Sequence, residues 1–202
     1  MGRGRASATP DTALINLAVE HTAPSPAAAL SACSASATAV LAAVREHVPD
    51  AGDVRTSDLS VNPHWDHRGD RLAGYAARTT LIIRTRRIDD AGLIATAALE
   101  AAGDAGQIHG LSLIVDDPRA ATDEARAEAF ADARRKAEHY AALAGATLGE
   151  LLHVSEGGEG GRHPHRFEMA VGLAASAASP PIEPGESQVA VTVATVWALA
   201  DQ

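Results

Sequence analysis

DPRAATDEARAEAFADARRKAEHYAALAG, residues 117 to 145, decides the fold of this chain. Asp117 before Pro118 is a helix opening, because proline has no N–H for a first turn to leave unpaired, and Gly145 is a helix stop. Between them Ala121, Ala125, Ala129, Ala133, Ala137 and Ala141 recur every four residues. That spacing lines small side chains along one slowly drifting stripe, which a neighbouring surface can approach closely. Asp132 and Lys136 stand at i and i+4 in the favourable order, worth ~0.3 kcal/mol. Arg126, Arg134, Arg135 and Glu138 populate the wet side, so the basic trio Arg134, Arg135 and Lys136 reads as a solvated face rather than a phosphate site.

Toward the N-terminus, residues 12–20 (TALINLAVE) form an apolar run bounded by Pro10 and Pro24, which predicts a buried strand. Ser25 followed by Pro26 is an N-cap with proline at the first helical position. Leu30, Ala37, Leu41, Val44 and Val48 then repeat at helical spacing and face inward, until Pro49 to Gly52 end the run. Residues 54–62 alternate through Leu59 and Val61 and stop at Pro63, with a polar segment from His64 to Asp70. Residues 72–86 read as a long strand with Tyr75, Ala77, Thr79, Leu81 and Ile83 on one face, antiparallel to the run before it. Asp89 or Asp90 caps a second helix with Leu93, Ile94, Ala97 and Ala101 inward, and residues 107–115 (QIHGLSLIV) make another strand. The order so far is βαββαβ, the split-βαβ order of ferredoxin-like folds.

Beyond the long helix, residues 148–155 predict a strand and 157–165 (GGEGGRHPH) a flexible loop. A short strand through Phe167, Met169 and Val171 follows, and then a small, Pro/Gly/Ser-rich second loop over 172–187. Residues 188–199 (QVAVTVATVWAL) are the strongest strand signal, with Val189, Val191, Val193, Thr195, Trp197 and Leu199 on one face. The expected class is α+β, a split ferredoxin-like βαββαβ body over 12–116 extended by the third helix and two or three further antiparallel strands over 117–200. Residues 1–11 are expected to be a lead-in.

The chain of 202 residues is 46% apolar but 3% aromatic, so its core must rest on Leu, Ile and Val and on close backbone approach. Net charge −9 sets it against phosphate backbones, and only Tyr75 stands on a central strand to stack a base, so nucleic acid is not an expected partner. Arginine supplies all the basic residues but Lys136, as the codon usage of a high-GC genome would. No uninterrupted run of 18 apolar residues occurs and no apolar stretch follows the basic start, so the expectation is no membrane span, no secretory signal and a cytoplasmic location. One cysteine, Cys33, excludes an internal disulfide and a thiolate-rich zinc site; without an adjacent Lys, Arg or His it reads as a packed small residue rather than a redox sensor.

His64 and His67 bracket Trp65–Asp66, and His163 and His165 flank Pro164, so these four are the candidate ligands for zinc or nickel. Glycine-rich loops do not fix three or four ligands, and the expectation is no metal and no cofactor. His109, His139 and His153 read as packed or surface residues. Asp66 and Asp70 near His67 read as turn residues rather than an acid–base pair. No nucleophile elbow, phosphate loop or dinucleotide fingerprint is present, so no catalytic residue is assigned and a non-enzymatic protein is expected.

Several positions in one order resemble the SIMPL family, which includes bacterial periplasmic immunogenic and oxidative-stress-defence proteins. They are Pro10-Asp11, Val54-Arg55-Thr56, Leu59-Ser60-Val61 with Pro63, Gly74-Tyr75, Ile108-His109-Gly110-Leu111, and Glu124-Ala125-Arg126. The stretch from Asp132 to Ala141, Gly145, Leu148-Gly149, Ser155-Glu156 and Pro184-Gly185-Glu186 complete the set. The resemblance implies homo-oligomeric rings or channel-like assemblies and a link to stress defence, and carries over no catalytic residue. A self-assembling protein is therefore expected, with a small-molecule or metal-binding sensor as the alternative.

Overall fold

A computed structural model describes residues 1–48, 53–66, 69–157 and 185–200. In chain order the elements are β1 (Gly2–Ala8), β2 (Thr12–Ala23), α1 (Pro26–Arg45), β3 (Val54–Trp65), β4 (Leu72–Thr85), α2 (Ala91–Ala102), β5 (Gly106–Ile114), α3 (Arg119–Leu143), β6 (Thr147–Glu156) and β7 (Ser187–Ala200). The class is α+β, as expected. Two compact units are formed: Asp11–Ile114, and Met1–Pro10 together with the described residues from Val115 onward. The expected loop at 157–165, apart from Gly157, the strand through Phe167, Met169 and Val171, and the loop at 172–187 before Gly185 lie outside the described residues.

In the Asp11–Ile114 unit four strands pair antiparallel in the order β3-β4-β2-β5. Helix α1 thus joins β2 to β3 across the intervening β4, and α2 joins β4 to β5 across β2. Alternation along the strands puts Ala13, Ile15, Leu17 and Val19 of β2 and Ala77, Leu81 and Ile83 of β4 into one buried layer under the helices. Ser25 caps α1 as expected, its Oγ accepting from Ala28 N at 3.3 Å.

The inward face of α1 differs from the expectation. Ala29, Cys33, Val40 and Val44 are buried, while Leu30 points to solvent. The helix is apolar all round, so periodicity leaves its rotation open; the small Ala29 and Cys33 permit the closest approach to β2, where Cys33 Sγ donates to Val19 O at 3.4 Å. By length and composition α1 is also long and apolar enough to cross a membrane, a test that core helices and signal sequences pass alike. Ser and Thr interrupt its apolar run without making it hydrophilic, which is why a search for unbroken runs misses it. Strand β3 passes through Pro63, where the sequence predicted a stop, because β3 is an edge strand that can spare an N–H.

In the second unit the sheet order is β1-β7-β6, antiparallel throughout, with α3 on one face. Residues 1–11 are therefore not a lead-in: Gly2–Ala8 is a full edge strand paired with β7. Gly2 and Gly4 face the alanine stripe. A Cβ on Gly4 would overlap the backbone at Ala125 O and Ala129 N, and one on Gly2 would overlap Ala129 O and Ala133 N, so strand and helix backbones touch with nothing between them. Ala121, Ala125, Ala129, Ala133 and Ala141 are buried, and Val189, Val191 and Val193 of β7 complete the core. On its far edge β1 is closed by acids from α3: Arg3 N donates to Asp132 Oδ2 at 2.9 Å and Arg5 N to Glu128 Oε2. Gly145 ends α3 at φ 71°, with Ala146 N bonded to Ala141 O and Gly145 N to Ala142 O.

Gly4→Ala should cost about 1–3 kcal/mol, the range for overpacking a tight contact. Gly110→Ala, with open space around the new Cβ, should be near neutral. Urea midpoints decide this, and equal midpoints for the two variants would refute the contact. The Lys136 ammonium, and then the Arg3 N–H, hold the Asp132 carboxyl below its usual range. A depressed folded pKa gives stability that is present above the ordinary carboxylate pKa and lost as pH falls through the folded value. Asp132→Asn should therefore lower the Tm at pH 7 and narrow the Tm gap between pH 7 and pH 3; an unchanged gap would remove Asp132 from the acid response.

Candidate functional site

The helices cover one face of the four-stranded sheet, and side chains of the opposite parity stand on the other: Asn16, Ala18 and Glu20 of β2, and Arg78, Thr80 and Ile82 of β4. Glu20 and Arg78 are direct cross-strand partners, and Arg78 Nη1 lies 3.3 Å from Glu20 Oε2, both side chains about a third exposed. His109 joins them from β5. The β2–β5 register shifts between Asn16 and Leu17, whose partners are Gly110 and Ile108, so His109 is the extra residue of a bulge. The bulge re-aims its ring, and Arg78 Nη2 contacts His109 Nε2.

A guanidinium has no acceptor, so the accepting atom of this contact is His109 Nε2. These two contacts use two of the five guanidinium N–H donors. Ala18, between the two strands' side chains, leaves room for Arg78 to pass across β2. The result is an arginine held at one end by a carboxylate and at the other by an imidazole, on the sheet face opposite α1 and α2. Such a fork can take an oxyanion.

The residues singled out from the sequence fall elsewhere. His64 is exposed at the end of β3 opposite Gly74. His67, His163 and His165 lie outside the described residues, among which no group of three or more His, Cys, Asp or Glu could hold a metal ion. Asp66 shapes a turn: Asp70 N donates to its Oδ1 at 3.2 Å and Gly69 N to its carbonyl at 2.9 Å. His21 Nε2 meets Ser36 Oγ at 2.8 Å between β2 and α1. Cys33 is fully buried, and burial pushes its thiol pKa up, so it has the character of a packed residue and not of a sensor.

The basic trio of α3 is occupied along its own helix. Arg134 pairs with Glu138 at 2.8 Å, Arg135 with Asp132 at 3.0 Å and Lys136 with Asp132 at 2.6 Å. Arg126 bridges to Glu156 of β6 at 2.7 Å, which raises its pKa. At the start of α3 the Arg119 guanidinium and N–H hold Asp117 down to about 2, and that carboxylate, one residue before the cap, accepts from the first helical N–H. Sequence reading missed the Arg78 cluster; only a long-range register could have joined positions 20, 78 and 109.

The model of the SIMPL family, described as a protein of unknown function (DUF541), matches residues 1–197. The 26 kDa periplasmic immunogenic proteins of Brucella melitensis biotype 1 and Brucella abortus strain S19 are each 30% identical over 213 residues, covering 97% of this chain and 82% of the relative. Their names overturn the expected cytoplasmic location and point to export. An export leader is cut from the mature protein, so the opening residues that suggested the cytoplasm are no test of it. With a match spanning nearly its whole length and such relatives beside it, the chain belongs to the SIMPL family of proteins of unknown function.

Proposed function

We propose that this chain is a non-enzymatic SIMPL-family protein that assembles with copies of itself. The observation that carries the reading is a set of exposed bulky apolar side chains: Tyr140 and Leu143 are each 70% exposed, and Leu152 and Leu199 each 61%. Fully burying one such side chain is worth about 1.5–3 kcal/mol, so a partner surface that covers them gains stabilisation. The charged groups of α3 support the non-enzymatic part, since their ion pairs fasten the helix to itself and to β6, and two of its carboxylates accept backbone N–H groups of β1. Size-exclusion chromatography with light scattering tests the reading. A mass that is a multiple of 20.7 kDa at micromolar concentration is expected, and a strictly monomeric species would overturn it.

The Arg78 fork favours a second reading, a sensor for small carboxylates or phosphates. Such a ligand at 100 times its Kd adds about 2.7 kcal/mol of stability. Thermal unfolding with acetate, succinate and inorganic phosphate should then show a Tm rise that Arg78→Ala abolishes. No rise in the wild type, or an equal rise in the variant, would eliminate this reading.

A further inference from the structure

Arg78 makes two side-chain contacts on its sheet face, and only one of them survives a change of protonation. Its Nη1 donates to Glu20 Oε2 at 3.3 Å, and its Nη2 donates to His109 Nε2. A guanidinium has donors and no acceptor. An imidazole that has taken up its second proton also has two donors and no acceptor, so the bond between Arg78 and His109 must open when the ring is protonated. Imidazoles make this change between about pH 5 and 8.

The charge of the cluster changes with it. While the ring is neutral, the Glu20 carboxylate balances the Arg78 guanidinium. Once the ring is protonated, two cations stand side by side against one carboxylate, and Arg78 Nη2 has lost its acceptor. An anion that bridges guanidinium and imidazolium relieves the repulsion and accepts from both. Both groups are within its reach: His109 is exposed in the bulge of β5, an edge strand, and the Arg78 side chain is about a third exposed. Farther along the same face the register sets Arg84 opposite Leu14 and, on β3, Arg55 opposite Ile82 and Asp58 opposite Thr80. Strand β5 has no other ionisable residue, and α2, on the opposite face, has Glu100, with Asp104 in the turn that follows; both are exposed.

We propose that Arg78 and His109 form a proton-gated site for the oxyanion of a strong acid, a sulfate, sulfonate or phosphate group, which binds once His109 has taken a proton from solvent and released Arg78. The inference rests on the anion-sensor reading above and gives that site its ligand class and its control. The class follows from the gate. The ligand must keep its charge at a pH where the ring is protonated, and a carboxylate surrenders part of its own as the pH falls toward the acid end of that range. A group with three or more oxygens can also accept from guanidinium and imidazolium together while Glu20 keeps Nη1. When only the protonated form binds, the apparent Kd is the intrinsic Kd divided by the protonated fraction, so affinity falls about tenfold per pH unit once the ring is mostly neutral.

An NMR titration with sodium sulfate at constant ionic strength, followed at the His109 ring and the β5 amides, reads the gate, because sulfate carries the same charge at pH 5.5 and at pH 8. The wild type should bind at least about tenfold more tightly at pH 5.5. His109→Gln, whose amide oxygen still accepts from Arg78 but which takes up no proton, should lose the pH dependence, and Arg78→Ala should lose binding at both values. Equal wild-type affinity at the two pH values, abolished by Arg78→Ala, would overturn the gate and leave the sensor reading standing. A pH dependence that persists in His109→Gln would also overturn the gate. Acetate bound through Arg78 with no sulfate bound would overturn the ligand class, and a wild type that binds neither anion would overturn the inference and the sensor reading together.

Discussion

The contact between Gly2 and Gly4 of β1 and the backbone of α3 at Ala125, Ala129 and Ala133 governs the second unit. Backbone meets backbone, so neither side can bear a larger residue without moving. This fixes alanine along one face of a 25-residue helix, and it holds a strand from the start of the chain against a helix more than 110 residues later. Close approach also brings Asp132 and Glu128 within reach of the edge of β1. One geometric demand thereby sets the helix composition, the core thickness and the closure of an edge.

The acidic excess takes on a structural meaning in this light. Several carboxylates that contribute to the −9 are hydrogen-bond acceptors for backbone or guanidinium groups: Asp117 at the start of α3, Glu128 and Asp132 against β1, and Glu156 with Arg126. Hydrogen bonds to an ionised acceptor are stronger than neutral ones, and an edge N–H left bare would invite another strand. The carboxylates on α3 are thus spent on holding the unit together rather than on presenting a charged field to a partner.

Elements whose signals are local were legible in the sequence. The Ser25–Pro26 cap, the alternation of β4, the alanine period of α3 and the valines of β7 all act within a few residues, and each reappears close to its expected bounds. What escaped depends on distant partners. GRGRASA reads as a lead-in because glycine weakens an isolated strand; only the helix pressing on it gives Gly2 and Gly4 a purpose. The face of α1 escaped because an all-round apolar helix has no preferred rotation, and Pro63 misled because an edge position excuses its missing donor. The cluster of Glu20, Arg78 and His109 needed both the pairing of β2 with β4 and the bulge opposite Leu17, and neither is written in any short window.

Alanine is the link between packing and surface. The fully buried centre of the second unit is alanine and valine, with Phe130 half-buried beside them, while Tyr140, Leu143, Leu152 and Leu199 stand exposed. An Ala-lined seam buries little apolar area per residue, at roughly 25 cal/mol per Å². Stability within that unit is therefore limited by the geometry that defines it. Several of its bulky apolar side chains, Tyr140, Leu143, Leu152 and Leu199 among them, add little to that stability because they stand exposed.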